Sequence, residues 1–169
     1  MTDQRAAVKR FNWTFALVLV MGIVVLGASA VGLRYWRRQY LATNALEKGL
    51  AAYKAREWAT AAREIGRYCA VHDNDESALL KYAEAQLHVQ PQKRGNVDQA
   101  IGAYRRVLRT SPTHAEASER VAEVYLQMGL PSEAELVLRR WLEAEDAPRA
   151  RFLLSLALEA QRKFQEAGQ

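Results

Sequence analysis

Alanines recur at intervals of about 34 residues through most of this chain, each time within the same small and apolar pattern. Ala100, Ala134 and Ala167 follow one another at this interval to within a single position. The interval from Ala61 to Ala100 is longer, so the second copy carries about five extra residues. Such a period constrains the fold strongly, because a single copy cannot bury its own apolar face and must stack on its neighbours.

The local pattern inside the copies is helical. In residues 115–128 the apolar side chains recur at spacings of three and four, which is typical of an amphipathic helix. Turn-forming residues at 111–113 and 129–132 separate this segment from the helices before and after it. Alternating β-branched runs framed by hairpin turns are missing from the sequence. Residues 42–169 are therefore predicted to be all-α, built from helix–turn–helix units.

This repeated pattern resembles the tetratricopeptide repeat family, whose unit is a helix–turn–helix of about 34 residues. The resemblance covers residues 42–169 and implies an α-solenoid of about 3.5 stacked repeats. It divides the array into four units: 42–75, 76–114, 115–147 and 148–169. The second unit has an insertion at residues 88–95, and the last unit is incomplete. We expect the second helix of the last unit to begin near Lys163. Because it would then be cut short, we expect a longer repeat protein or a second chain that covers the end.

The resemblance also implies where close helix contacts fall. Small residues in the first helix of each unit let it lie near the second helix: Gly49, Ala83 and Ala122. The repeating alanines act in the same way from the second helix, while large apolar residues fill the spaces between units.

An uncharged apolar run, residues 13–33, precedes the repeats. A run of this length spans a hydrocarbon core of about 30 Å, and aromatic residues stand near both of its ends. We predict a short tail at residues 1–12, a transmembrane helix at 13–33 and a basic juxtamembrane linker at 34–41. The alternative is a secretory signal peptide that is cleaved after Ala30, which would leave a periplasmic repeat protein.

The net positive charge of the chain lies beside this run. Residues 1–40 hold six basic residues and one acidic residue, whereas residues 41–169 hold 18 of each. The basic residues on the two sides of the run are equal in number, and the short polar tail favours an N-terminus in the cytoplasm. The run and its flanks also resemble the anchors of bacterial single-span envelope proteins that carry such repeats. We therefore predict the bacterial inner membrane, with the repeats outside the cytoplasm.

The sequence offers little that would support chemistry. Cys69 is the only cysteine, so neither an intrachain disulfide nor a CxxC motif can form. The three histidines lack partners at metal-ligand spacing, and no phosphate loop or nucleophile motif is present. We expect no metal, no cofactor, no small-molecule substrate and no enzymatic activity. The repeats carry no basic stripe, so we expect no nucleic-acid partner. The alternative is the N-terminal docking region of a larger enzyme.

The expected activity is binding of other proteins. In stacked helix pairs the first helix of each unit lines a concave groove, and the resemblance implies which positions face it. The groove candidates are Tyr53, Lys54, Lys81, Glu84, Glu119, Arg120, Glu123, Gln127, Arg149 and Phe152. Their mixed charges suit a peptide or helix of a partner protein. The family members that clamp acidic chaperone C-termini use Lys and Asn where this chain has Leu46 and Leu50. We therefore predict a membrane-anchored scaffold or adaptor with a different ligand.

Overall fold

The computed structural model describes the backbone of residues 13–167, together with their side chains except those of residues 13–20, 22–28, 30, 31 and 164–167. In this part of the chain every regular element is an α-helix. The helices are α1 (Trp13–Lys54), α2 (Trp58–Cys69), α3 (Glu76–His88), α4 (Arg94–Thr110), α5 (Ala115–Gln127), α6 (Pro131–Ala144) and α7 (Pro148–Ala167). The chain divides into two units between Tyr40 and Leu41, inside α1.

The first unit contains the N-terminal part of α1. Its described aromatic side chains are exposed, and the rings of Trp36 and Tyr40 stack with their centroids 6.3 Å apart. Among the described residues, no helix is both long enough and apolar enough to cross a membrane. The predicted spanning helix at residues 13–33 therefore has no support in the structure. Most of the side chains that this prediction concerns lie outside the described residues.

The second unit is a stack of antiparallel helices. From α2 onward each helix packs against the next along the chain, and α5 also contacts α7, the first helix of the following repeat. The all-α solenoid that the sequence predicts is thus observed for the array. One continuous core runs through it, and its largest fully buried side chains come from several repeats: Tyr104, Ile65, Leu79, Leu138 and Val107.

Small residues set the distance between paired helices. Ala61, Ala100 and Ala134 are fully buried in α2, α4 and α6. In α1, a Cβ placed on Gly49 would lie 2.6 Å from Ile65 Cγ1 and 2.9 Å from the Ile65 backbone nitrogen. Because no side chain fits in that space, α1 and α2 approach each other through the bare backbone of Gly49.

The turns between paired helices use the same backbone motif twice. After α5, Gly129 has a positive φ of 70°, and the Leu130 N–H donates to the Tyr125 carbonyl at 2.8 Å. After α1, Arg56 adopts a φ of 59° and the Glu57 N–H donates to the Ala52 carbonyl at 2.9 Å. Both are Schellman caps, which favour glycine at the positive-φ position. The first repeat therefore has an arginine at the positive-φ position, where the third repeat has a glycine that adopts this conformation without strain.

The last helix differs from the prediction. A new helix near Lys163 is not observed, because α7 continues without a break from Pro148 to Ala167. Residues 149–167 contain neither glycine nor proline, and most are good helix formers, so nothing in them stops the helix. The described array is therefore three helix pairs followed by a single long helix. The loop predicted at residues 88–95 is also shorter in the structure, since α4 already begins at Arg94.

Candidate partner-binding groove

A pocket of about 450 Å³ opens between the first helices of the first three repeats. We call it the groove pocket. Its walls come from the end of α1, one face of α3 and the start of α5: Tyr53, Glu76, Ser77, Leu80, Lys81, Glu84, His114 and Glu116. The α3 residues share a face because they recur at spacings of three and four along the helix. The groove pocket therefore depends on three successive repeats standing side by side.

Tyr53 and Glu84 join two walls of the groove pocket. The Tyr53 hydroxyl donates a hydrogen bond to Glu84 Oε2, which connects α1 to α3. The Tyr53 ring also packs edge-on against Trp58, with centroids 5.5 Å apart. Partial burial and the hydrogen bond to the Glu84 carboxylate raise the pKa of Tyr53 to about 12. The phenol is thus a fixed hydrogen-bond donor at neutral pH.

Other residues of the lining hold the local structure. Lys81 Nζ donates to Ser77 Oγ at 2.7 Å, one turn earlier on α3. The His114 ring caps the N-terminus of α5, since its Nδ1 accepts the Ala117 N–H at 3.3 Å. Glu76 accepts a hydrogen bond of 2.6 Å from Ser111 Oγ.

The predicted groove residues farther along the array form an internal network. Arg149, in the first turn of α7, donates to Glu119 Oε1 at 2.8 Å and to Glu123 Oε1 at 2.5 Å, both on α5. Arg120 pairs with Glu123 at 3.3 Å. Because Arg149 donates hydrogen bonds to the Glu119 and Glu123 carboxylates, its pKa is raised. Its guanidinium lies 5.6 Å from the centre of the Phe152 ring. These five residues, the α5–α7 network, connect two helices and compensate one another's charge.

The structure thus separates the groove candidates. Tyr53, Lys81 and Glu84 meet in the groove pocket, whereas Lys54 and Gln127 are exposed side chains at helix ends and do not line it. The prediction missed five lining residues: Glu76, Ser77, Leu80, His114 and Glu116. Ser77 and Leu80 lie four positions before Lys81 and Glu84 on the same helix, so helical spacing could have predicted that they face the groove. No sequence signal places the start of α5 opposite the middle of α3.

The remaining candidates for chemistry give no second site. Cys69 is buried, and this burial raises the pKa of its thiol to about 11. Within the part of the chain that the structure describes, no group of three His, Cys, Asp or Glu side chains is placed to hold a metal ion. A shallower concavity of about 340 Å³ lies near the Trp58 and His88 rings, which stack with centroids 4.7 Å apart.

Comparisons with known proteins agree with this architecture. Residues 92–161 match the model of the tetratricopeptide repeat family. The TPR domain of Arabidopsis OM64 has a similar structure, with a TM-score of 0.56 and 18% identity over 72% of this chain and 98% of that one. The TPR2B domain of yeast Sti1, in a complex with pHsp70, has a TM-score of 0.54 and 17% identity over 73% of this chain and 98% of that one. The search of curated proteins found no match. Residues 92–161 thus match the tetratricopeptide repeat model, and the array has the fold of these domains.

Proposed function

We propose that this chain is a membrane-anchored tetratricopeptide scaffold that binds segments of other proteins in the groove pocket. The observation that carries the proposal is the groove pocket itself, which three successive repeats build together. Its volume of about 450 Å³ lies within the range of about 300–1,000 Å³ that ligand sites occupy. An extended segment that crosses α1, α3 and α5 would contact each of these repeats in turn.

The lining suits a peptide. Leu80 and the Tyr53 ring offer apolar surface, while carboxylates, a hydroxyl and an ammonium group offer polar contacts. The fold relative from yeast was solved in a complex with pHsp70, which supports a protein ligand here. That ligand need not be the same, since Leu46 packs partly buried against the core and offers no basic group. We expect this surface to bind protein rather than to catalyse a reaction.

The anchor and the location belong to the same proposal. The support is the sequence of residues 13–33, which holds no charged residue and lies between two basic flanks. We propose a single span in the bacterial inner membrane, with the N-terminus in the cytoplasm and the repeats outside it. The two alternatives remain a cleaved signal peptide and the docking region of a larger enzyme.

Site-specific photo-crosslinking tests the binding site. A photoreactive amino acid replaces Leu80 in the groove pocket or, as a matched control, the exposed Leu136 on α6. The full chain is expressed in cells, irradiated and analysed by mass spectrometry. We expect a discrete protein adduct at Leu80 and none at Leu136. Equal adducts at both positions, or an adduct at Leu136 alone, would refute the groove pocket as the binding site.

Protease accessibility in right-side-out spheroplasts tests the topology. Digestion of the repeats to a protected fragment containing residues 1–40 would support the proposed orientation. Complete protection until lysis would place the repeats in the cytoplasm and refute it. A soluble fragment that begins at Val31 would show that the apolar run is a signal peptide.

A further inference from the structure

We propose that Arg34, Arg37 and Arg38, in the first unit of the chain, bind the headgroups of anionic phospholipids. We call these three residues the arginine triad. This inference rests on the proposed function, because it gives the membrane partner of the anchor its chemistry. Two independent observations carry it: a cluster of guanidinium groups without acidic partners, and exposed aromatic rings on the other side of the same helix.

The arginine triad forms one cluster on the surface of α1. All three side chains are exposed, and the structure places them in one uninterrupted helix. Residues three and four positions apart are neighbours on a helix surface, so Arg34 adjoins both Arg37 and Arg38. Like charges at this spacing disfavour the helix. A negatively charged ligand that binds the triad would remove this repulsion.

The chain offers this cluster no counter-charge nearby. The sequence holds no acidic residue between Asp3 and Glu47. Glu47 lies nine positions beyond Arg38, whereas ion pairs along a helix join residues three or four positions apart. None of the three arginines forms an ion pair with a residue that the structure describes. The charge of the triad is therefore uncompensated within the described chain.

Three aromatic residues occupy the remaining sides of this helical segment. At 3.6 residues per turn, the triad spans an arc of about 100°, and Tyr35, Trp36 and Tyr40 share another arc of about 140°. Their exposed fractions are 66%, 67% and 60%, and Leu33 beside them is 65% exposed. The Trp36 and Tyr40 rings stack, with centroids 6.3 Å apart. Such rings favour the boundary between lipid and water, because each has an apolar body and a polar tip.

A lipid surface satisfies both sides of the segment at once. A soluble phosphate would neutralise the arginine triad but leave the rings in water, and an apolar protein segment would do the reverse. The headgroup region supplies phosphate oxygens, which guanidinium groups bind in pairs, and an apolar layer directly beneath them. The segment follows the uncharged run of residues 13–33, so the proposed span would hold it at this depth. The inference is independent of orientation, since both surfaces of a bilayer carry headgroups.

Native mass spectrometry of the full chain tests the lipid preference. The protein in detergent micelles receives equal amounts of phosphatidylglycerol and phosphatidylcholine, which both carry a phosphate but differ in net charge. We expect the parent chain to retain phosphatidylglycerol about tenfold or more over phosphatidylcholine, because each arginine near an anionic headgroup adds to binding. Soluble glycerol phosphate in large excess should not displace the lipid, because it cannot cover the aromatic rings.

Two triple variants assign the preference to the arginine triad. The triad variant combines Arg34→Gln, Arg37→Gln and Arg38→Gln. The matched control removes the same charge from three exposed arginines of the array that also form no ion pair with the described residues: Arg94→Gln, Arg109→Gln and Arg140→Gln. We expect the triad variant to retain the two lipids about equally, and the control to keep the full preference of the parent chain.

Quenching of Trp36 fluorescence tests the contact of the aromatic rings with the lipid. The full chain is placed in nanodiscs whose lipids carry bromine either near the headgroup or near the end of the acyl chain. The Trp36 signal is the difference between the parent chain and Trp36→Phe. We expect stronger quenching by the bromine near the headgroup. Stronger quenching by the deep bromine, or none by either, would contradict the interfacial position.

Equal retention of the two lipids by the parent chain, or equal losses in the triad and control variants, would overturn the inference. Displacement by glycerol phosphate would overturn it too, since a soluble phosphate would then be sufficient. If spheroplast digestion still gave the protected fragment of residues 1–40, the proposed anchor would stand and only the lipid preference would fail. A soluble fragment that begins at Val31 would refute the anchor itself.

Discussion

Gly49→Ala tests the close helix contact at the start of the array. In an exposed helical position this change stabilises a protein by about 1 kcal/mol, because alanine has the higher helix propensity. At Gly49 the added methyl group would lie 2.6 Å from Ile65 Cγ1, 2.9 Å from the Ile65 backbone nitrogen and 3.3 Å from Glu64 Cβ. A side-chain rotation could relieve the first contact. The second involves backbone, so α1 and α2 must separate or distort.

Gly102 in α4 is the matched control, since a Cβ there would meet nothing within 4 Å. The propensity gain is common to both variants, so the difference between them isolates the packing cost of about 1–3 kcal/mol. We expect Gly102→Ala to raise the free energy of unfolding by about 1 kcal/mol. Gly49→Ala should lower it relative to that variant by the packing cost, which leaves Gly49→Ala between neutral and about 2 kcal/mol less stable than the parent chain.

The measurement is urea unfolding of the full chain in detergent micelles, followed by circular dichroism at the helical band. Both variants and the parent chain should show the same dependence of the unfolding free energy on urea concentration, so that differences between their midpoints report stability. Stabilisation of similar size in both variants would show that α1 and α2 do not approach each other at Gly49. The pairing of the first two helices would then have to be revised.

Three further predictions concern single residues of the array. Arg56→Gly relieves a positive φ of 59° and should raise the thermal midpoint, with a gain of about 1 kcal/mol; no gain would contradict the αL cap. Ala134→Leu overpacks a fully buried position on α6 and should cost about 1–3 kcal/mol, so unchanged melting would contradict the repeat register. Native Cys69 should resist thiol reagents at pH 8. Since burial raises its pKa to about 11, the unfolded chain releases the thiol proton first, and stability should fall as pH rises from about 9 to about 11.

The fold could be anticipated because its determinants repeat. The spacing of Ala61, Ala100 and Ala134 identified the positions where helices of a pair meet, and all three are fully buried. Such contacts depend on residue size and position, which a sequence states directly. The end of the array was harder to predict. Residues 149–167 lack a helix breaker, and expecting the period to continue gave too much weight to the family pattern over local propensity.

The binding surface could be anticipated only in part. A family position shows that a side chain faces the groove but does not show what it contacts there. Glu119, Arg120 and Glu123 look like ligand contacts in the sequence, yet Arg149 from the next repeat pairs with two of them. That pairing depends on how far α7 is offset along α5. The offset follows from packing between helices that are distant in the chain, which no local pattern specifies.

The three carboxylates of the groove pocket differ in what favours them at their positions. Glu76 and Glu116 both stand in the first turn of their helices, where a carboxylate is favoured by the helix dipole whether or not a ligand binds. Glu84 lies in the second half of α3, where the dipole gives a carboxylate no advantage. Its carboxylate instead accepts the Tyr53 hydroxyl hydrogen bond that connects α1 to α3. Glu84→Gln keeps an acceptor for the Tyr53 hydroxyl and should leave the thermal midpoint, followed by circular dichroism, unchanged. Glu76→Gln and Glu116→Gln each remove a favourable charge from a first turn and should lower it. A loss at Glu84 as large as at the other two positions would contradict this assignment.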